Sequence, residues 1–171
     1  TITLATKGAK VMLFLKALIY LALWGIANFV VGLMLPRSWF SYDVFPYRPW
    51  KFEKNGKFYE KLKIKKWKDK IPDMSRLFKF MAPKRAAAAL DSGSMLHLIQ
   101  ETCVAEIVHI AGCIEAIPVL FICPNAAGIV LFILDIILGN LVFIVVQRYN
   151  RPRLVSAYKR IKTHEEREAA K

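Results

Sequence analysis

The chain has 171 residues, of which 56% are apolar, and it carries a formal net charge of +13. This length suits one domain or a small helical bundle and excludes two large domains. The apolar residues collect in long runs, while the 26 Lys and Arg residues lie almost entirely between and after those runs. Because charged groups are costly in hydrocarbon, this segregation indicates a membrane protein rather than a nucleic-acid-binding one.

The first predicted element is a membrane-spanning helix over residues 11–35. Lys16, near the start of the run, is its one charged residue, and Pro36 follows the run. A helix of this length can cross the hydrocarbon core of a bilayer, which is about 30 Å thick. The run is longer than a signal-peptide core and no small-residue cleavage site follows it, so we expect it to be retained.

The next region, residues 36–95, is basic and rich in aromatic residues, which is typical of a segment at the membrane interface. The pair Asn55-Gly56 is a turn signal and could close a short hairpin. From Phe58 onward the apolar spacing predicts an amphipathic helix that stops before Pro72. Residues 86–94 have the small and polar composition of a linker into the next helix.

Two further membrane helices are predicted over residues 96–123 and 129–147, the first with a kink at Pro118. A turn at Pro124-Asn125 separates them, so they should form a helical hairpin. Residues 148–171 form a basic tail that is predicted to be a short surface helix, with Leu154 and Tyr158 on one side. The predicted fold is therefore an all-α membrane protein: a single domain over residues 1–171 with about three transmembrane helices.

The distribution of basic residues predicts the orientation of these helices. Residues 36–101 contain 15 Lys and Arg, residues after 147 contain 8, and only 3 precede the end of the first helix. Basic loops face the cytoplasm, so both rich segments are expected there. The predicted location is the cell membrane, with several passes and with the active site at the cytoplasmic face.

The start of the second apolar helix carries the strongest chemical candidates. At about 100° per residue, Thr102, Glu106, His109 and Cys113 share one face, and Glu101 lies about 80° from His109. A Glu three residues before a His can bond the imidazole, fix its tautomer and raise its basicity, as a general base requires. We interpret Glu101, Glu106 and His109 as catalytic. A metal site built from these three side chains, or a purely structural polar cap, remain the alternatives.

The third apolar helix carries a second polar stripe near its cytoplasmic end. Asn140, Gln147 and Arg151 lie on one face, which could meet the Glu/His face across the hairpin. Arginine binds phosphate in a bidentate manner, so arginines here could hold an anionic donor or headgroup, although ordinary anchoring on the inner side is an equal alternative. The residues predicted to bind substrate in the two helices are Thr102, Asn140, Gln147, Arg148, Asn150, Arg151 and Arg153.

Three further groups carry less specific signals. Trp67, Lys68 and Asp69 could recognise a lipid headgroup at the interface, although their spacing equally suits an ordinary surface helix. Glu115 and Asp135 lie deeper, Glu115 off the His109 face and Asp135 off the Asn140 face, and they could pair with another helix or be neutral. The cysteines at 103, 113 and 123 have neither CxxC nor metal-ligand spacing, which favours small buried side chains over a disulfide or a catalytic thiol.

Read in order, four segments resemble one family: KFEKNGKFYEKL, KKWKDKIPD, ETCVAEIVH and NLVFIVVQRYNRPRL. The chain is similar in these segments to the glycosyl-4,4'-diaponeurosporenoate acyltransferases, small membrane proteins of the staphyloxanthin-type carotenoid pathway. The resemblance extends over residues from about 45 to 155. The chain departs from the family pattern at Val104, where a basic residue is expected, and at Ile110, where an aromatic one is expected.

The resemblance implies transfer of a fatty acyl group from an activated donor to a sugar hydroxyl of a glycosylated lipid. It implies acyl-CoA as the donor and no permanently bound cofactor. The expected partners are a membrane lipid or glycolipid acceptor and the acyl donor, with no nucleic acid; the oligomeric state stays open. Two alternatives are a membrane methyltransferase or other lipid-modifying enzyme, and a non-catalytic membrane subunit or lipid-binding scaffold.

These observations combine into one mechanistic hypothesis. His109, oriented by Glu106, would deprotonate the acceptor hydroxyl, and Asn140 or Gln147 would stabilise the developing oxyanion. Arg148 and Arg151 would hold the phosphates of the donor.

Overall fold

The structure of the protein is a computed structural model that describes residues 2–70 and 91–171, without the side chains of residues 2–6 and 69. Within those ranges the regular elements are all helical. The α-helices are α1 (Ile2–Met34), α2 (Lys57–Glu60), α3 (Ile64–Trp67), α4 (Ser92–Glu115), α5 (Val119–Ile122), α6 (Ala126–Leu134) and α7 (Val142–Ala169). A π-helical segment, Asp135–Leu141, joins α6 to α7, and 3₁₀ turns cover Arg37–Trp39, Lys51–Glu53 and Lys68–Lys70.

Three helical stretches are long and apolar enough to cross a membrane: Lys7–Met34, Ser92–Ile122 and Ala126–Ala169. They confirm the predicted all-α class with one N-terminal and two C-terminal apolar helices. The third stretch differs from the prediction because it does not end at residue 147. It continues through Pro152 to Ala169, so the basic tail prolongs this helix instead of forming a separate one.

The chain divides into two compact units. One unit contains Thr1–Leu35 and Ile107–Ile144, and the other contains Pro36–Glu106 and Val145–Lys171. We call them the apolar unit and the basic unit.

In the apolar unit, α1 packs against α5 and α6 through small buried side chains. Ala17, Val119 and Cys123 are fully buried, with Phe14 and Leu131 among the partly buried residues around them. The predicted kink at Pro118 is an interruption of the helix, since α4 ends at Glu115 and α5 begins at Val119.

The turn that follows α5 is also confirmed. Asn125 caps α6 by accepting hydrogen bonds from the backbone nitrogens of Ala127 and Gly128 at 2.9 and 3.3 Å. A side-chain oxygen at this position satisfies donors that the first turn of a helix leaves open, which fixes where the helix begins.

In the basic unit, two hydrophobic clusters hold the chain together. Tyr59 and Ile64 from the short helices α2 and α3 pack against Val146 and Tyr149 of α7. Nearer the C-terminus, one side of α7 packs on the first turns of α4: Leu154, Val155, Tyr158 and Ile161 lie against Met95, Leu98 and Ile99. The apolar side predicted for the tail is therefore a packing surface against α4.

Two predictions for residues 36–95 were wrong. Asn55-Gly56 does not close a hairpin: both residues have positive φ, and they connect a 3₁₀ turn to α2, with no strand in the described part of the segment. The amphipathic helix is also interrupted, because Lys63 has φ 52° and separates α2 from α3. The predicted stop before Pro72 and most of the predicted linker lie outside the described residues.

Candidate functional site

The basic unit contains a buried group of four charged residues, Glu53, Glu106, Arg148 and Arg151, which we call the ion-pair cluster. Glu106 comes from α4, the two arginines come from α7, and Glu53 comes from the 3₁₀ turn before α2. None of the four side chains is more than 8% exposed. Two carboxylates and two guanidinium groups balance, which is how buried charge is tolerated in a protein.

Arg148 is saturated with chain partners. Its Nε and Nη2 donate to the two carboxylate oxygens of Glu53 at 2.5 and 2.9 Å. Its Nη1 donates to Glu106 Oε1 at 2.5 Å and to the carbonyl of Pro46 at 2.9 Å. Nη2 also reaches the carbonyl of Arg48 at 3.3 Å, and the guanidinium plane lies over the ring of Trp50. A donor phosphate could reach Arg148 only by displacing these groups.

Arg151 is held in a similar way. It donates from Nε to Thr102 Oγ1 and from Nη2 to the Thr102 carbonyl, both at 2.8 Å, and from Nη1 to the Tyr47 carbonyl at 2.9 Å. Its Nη2 lies 2.6 Å from Glu106 Oε2 in an ion pair, although Oε2 accepts no hydrogen bond of good geometry. Thr102 and Arg151 therefore join α4 to α7 in the basic unit.

The surroundings of Glu53 favour its charged form. Burial opposes the charge, but hydrogen bonds from Arg148, from Tyr59 and from the Trp50 backbone outweigh it and lower the pKa of Glu53 below its usual value. Burial and the same hydrogen bond raise the pKa of Tyr59, so its hydroxyl stays protonated as a donor.

The apolar unit contains a different polar group, formed by His109, Asp135 and Asn140, which we call the histidine site. His109 Nδ1 lies 3.2 Å from Asn140 Oδ1. The imidazole stacks on Phe143, with ring centroids 4.6 Å apart and planes 8° from parallel. The ring is partly exposed, while Asn140 is buried.

Asp135 belongs to this site, contrary to the prediction that it lies off the Asn140 face. Asn140 Nδ2 donates to Asp135 Oδ2 at 3.0 Å and to the Asp135 carbonyl at 3.2 Å. The prediction assumed an α-helical turn, but residues 135–141 are π-helical. In a π-helix hydrogen bonds join residues five apart, so the wider turn brings positions 135 and 140 together.

The remaining carboxylates of α4 pair with other elements. Glu101 forms a bidentate pair with Arg37, with Nε to Oε1 at 2.7 Å and Nη2 to Oε2 at 3.1 Å. Glu115 accepts a hydrogen bond from Asn28 of α1, and its carbonyl accepts one from Tyr20 at 3.0 Å. The predicted pairing of Glu115 with another helix is therefore confirmed.

The other predicted substrate-binding residues have no common location in the structure. Arg153 stacks on Tyr149 and donates to Glu60 at 3.0 Å at the surface. Trp67 donates from Nε1 to the Leu62 carbonyl at 2.9 Å. Gln147 is buried, Lys68 and Asn150 are partly buried, and the side chain of Asp69 lies outside the described part of the chain.

The structure thus distributes the predicted residues over two groups. Thr102, Glu106, Arg148 and Arg151 meet in the ion-pair cluster, and His109 and Asn140 meet in the histidine site. The carboxylate of Glu106 is engaged by arginines, and the amide partner of His109 is Asn140. Residues 2–70 and 91–171 contain no group of three His, Cys, Asp or Glu side chains arranged to hold a metal ion.

Sequence reasoning missed Glu53 and Phe143. Glu53 stands among lysines in a segment that reads as surface, and only its long-range pairing with Arg148 reveals its role. Phe143 did carry a signal, because it lies three residues after Asn140 and so on a neighbouring helical position.

The chain matches the glycosyl-4,4'-diaponeurosporenoate acyltransferase family over residues 36–160, a range that contains every candidate residue above. It is 33% identical over 145 residues to a glycosyl-4,4'-diaponeurosporenoate acyltransferase of Staphylococcus aureus, an alignment that covers 83% of this chain and 84% of the relative. The protein of the same name from a second strain is 32% identical with the same coverage. No solved structure matches the chain significantly.

Proposed function

The chain belongs to the glycosyl-4,4'-diaponeurosporenoate acyltransferase family, and we propose that it is an integral-membrane enzyme that moves a fatty acyl group from an activated donor to a hydroxyl of a glycosylated lipid. A carotenoid glycoside or a related glycolipid would be the acceptor. The three long apolar helices support a membrane location, where such an acceptor is dissolved.

The catalytic part of this proposal rests on the contacts that hold the His109 imidazole in place. Its imidazole lies in a helix long and apolar enough to span a membrane, hydrogen-bonded by Asn140 and stacked on Phe143. Ionisable groups in such segments are rarely idle, because placing them there is costly. A partly exposed imidazole of fixed orientation is what a general base needs.

We assign His109 the role of catalytic base. Its unprotonated nitrogen accepts the proton of the acceptor hydroxyl while the hydroxyl oxygen attacks the carbonyl carbon of the acyl donor. The resulting oxyanion collapses, the bond from the acyl carbon to the leaving group breaks, and the imidazolium returns the proton to that leaving group. The products are the acylated glycolipid and the free carrier.

The orienting role that we expected of Glu106 is reassigned to Asn140, because Asn140 is the amide bonded to the imidazole. The two hydrogen bonds from Asn140 Nδ2 go to Asp135, so we also withdraw Asn140 as an oxyanion donor. Glu106, Arg148 and Arg151 would instead fix α4 and α7 in the basic unit. Gln147 is buried in the basic unit, and its role as an oxyanion donor stays a prediction from the sequence.

The donor is proposed to be acyl-CoA, a thioester whose thiol leaves readily. No permanently bound cofactor is needed for this chemistry. The site is proposed to face the cytoplasm, where acyl-CoA is made and where the basic segments are expected by the positive-inside rule. Thermal shifts of the purified protein with acyl-CoA, free CoA and S-adenosylmethionine would distinguish this donor from a methyl donor.

Mass spectrometry of a defined reaction tests the reaction class. The purified protein is placed in lipid nanodiscs with a carotenoid glycoside and acyl-CoA, and the lipids are extracted after incubation. We expect a product heavier than the acceptor by one acyl group, together with stoichiometric free CoA. A parallel reaction with a carotenoid that lacks the sugar should give no product.

Absence of product with every acyl donor supplied, from protein that melts cooperatively, would contradict the proposal and favour a non-catalytic membrane subunit. Transfer of a methyl group from S-adenosylmethionine would contradict the reaction class.

A further inference from the structure

The amide of Asn140 has only one orientation that satisfies its neighbours. The Asp135 carbonyl lies 3.2 Å from one end of this amide, and a backbone carbonyl can only accept. The atom that faces it must therefore be the amide nitrogen, whatever the protonation state of the Asp135 carboxyl. The carboxylate oxygen at 3.0 Å is a second acceptor for the same nitrogen.

Once the amide is oriented, the histidine tautomer follows. The other end of the Asn140 side chain is the oxygen, which can only accept, and it lies 3.2 Å from His109 Nδ1. Nδ1 must then carry a proton in order to donate. In a neutral imidazole the lone pair is consequently on Nε2.

We propose that Asp135 is a positioning residue that sets the tautomer of His109 through Asn140, so that Nε2 is the nitrogen that takes the acceptor proton. This inference rests on the proposed function for its catalytic consequence, but the tautomer itself does not depend on catalysis. Asp135 acts on the imidazole through the Asn140 amide.

Two features of the backbone support a dedicated arrangement. The π-helical turn over Asp135–Leu141 is what brings Asp135 to Asn140, and such turns are rare and occur often at functional sites. On the facing helix, α4 has Gly112 where any Cβ would overlap the Asn140 amide. The position of the Asn140 amide therefore depends both on the π-helical turn that contains it and on a glycine at position 112 of α4.

Nitrogen NMR of the histidine rings measures the tautomer directly. The protein, labelled with ¹⁵N-histidine, is placed in nanodiscs, and the three His signals are assigned by omission in single variants. We expect the neutral form of His109 in the wild-type protein to carry its proton on Nδ1. In Asp135→Ala the backbone carbonyl still favours this amide orientation, but the amide nitrogen loses its shorter hydrogen bond, the one at 3.0 Å to the carboxylate. The preference is weaker, so the Nδ1–H form should fall from nearly all molecules to part of a mixture.

Three variants make the result specific. Asp135→Asn keeps a side-chain acceptor and should restore the Nδ1–H form. Gly112→Ala should disturb the tautomer without altering any polar group, because the added methyl displaces Asn140. Glu115→Ala removes a carboxylate of the same unit that pairs with Asn28 instead, and it should leave the His109 tautomer unchanged.

The wild-type ring carrying its proton on Nε2, or on both nitrogens at neutral pH, would overturn the inference. So would an unchanged tautomer in both Asp135→Ala and Gly112→Ala. If the tautomer shifts in these variants while acyl transfer continues at the wild-type rate, the positioning stands and the role of His109 as base fails. Turnover that falls with the Nδ1–H population in the folded variants supports both.

Discussion

The ion-pair cluster and the histidine site are both groups of hydrogen-bonded polar side chains, but they differ in burial and in the number of bonds that each side chain makes. In the cluster, each nitrogen of Arg148 donates to the chain, and all four charged side chains are buried. In the histidine site, the Asn140 amide nitrogen donates to the Asp135 carboxylate, and the amide oxygen contacts Nδ1 of His109, which is only half-buried.

Because of this difference, we expect the ion-pair cluster to contribute to stability and the histidine site to contribute to catalysis. A set of charges whose partners all belong to the chain can bind a substrate only by giving up those partners, so its main effect is on the folded state. An imidazole that the chain holds through Nδ1 can accept a proton at its other nitrogen without breaking the bonds that hold it. We therefore expect changes in the cluster to lower stability, and changes in the histidine site to lower turnover.

Loss of an arginine from the cluster should have the largest effect on stability. Arg148→Met leaves the carboxylates of Glu53 and Glu106 buried without their main partner, which typically costs about 3–5 kcal/mol. The change is measured as the free energy of unfolding in nanodiscs or mixed micelles.

Arg153→Met is the matched control, since Arg153 is on the same helix but pairs with Glu60 at the surface. Exposed pairs contribute about 0–1 kcal/mol, so this variant should unfold close to the wild-type protein. Equal losses in the two variants would mean that the cluster adds no particular stability.

The pH dependence of stability should report Glu53 in the same cluster. Its pKa is lowered in the folded state, so it contributes stability above the unfolded Glu pKa of about 4.3 and loses it as the pH falls through the folded value. The difference in melting temperature between the wild-type protein and Glu53→Gln should be largest near neutral pH. It should shrink as the pH falls below about 4, where the wild-type carboxyl is itself neutral.

The exposed Glu60 provides the comparison for this experiment. Its pKa is also lowered, mainly by hydrogen bonding and charge attraction from Lys65, but in contact with solvent. A pH-dependent difference for Glu60→Gln should disappear in about 0.5 M salt, whereas that of Glu53→Gln should persist. If the pH-dependent difference disappears in salt for both variants, the ion-pair cluster is open to solvent.

The sequence predicted the helices well and the segment between them poorly. An apolar run such as residues 11–35 or 129–147 is stable in an apolar environment only as a helix, so its composition was sufficient to predict its secondary structure. The fold of residues 36–70 depends on long-range contacts: Glu53, Tyr59 and Ile64 are buried against residues of α7 that are distant in the sequence. Local spacing holds no record of such long-range contacts, and it therefore suggested a hairpin and a continuous amphipathic helix.

The candidate site was predicted only in part, because the spacing of residues along one helix does not show which side chains of different helices meet. Helical spacing predicted one shared face for Glu106 and His109 and another for Asn140 and Arg151, but it could not decide which of these side chains meet. Glu106 was expected beside His109 because they are three residues apart on one helix, whereas long arginines from α7 take up its carboxylate. Asp135 was placed on the wrong side because the π-helical turn changes the angular spacing that the prediction used.

Turnover of His109→Gln, measured on protein whose melting temperature is also recorded, tests the central claim most directly. Glutamine approximates the size of the ring and can still contact Asn140, but it cannot take a proton, so we expect acyl transfer to fall by about 10²- to 10⁴-fold with the melting temperature nearly unchanged. Turnover within a few fold of the wild-type rate in a stable His109→Gln protein would contradict the account.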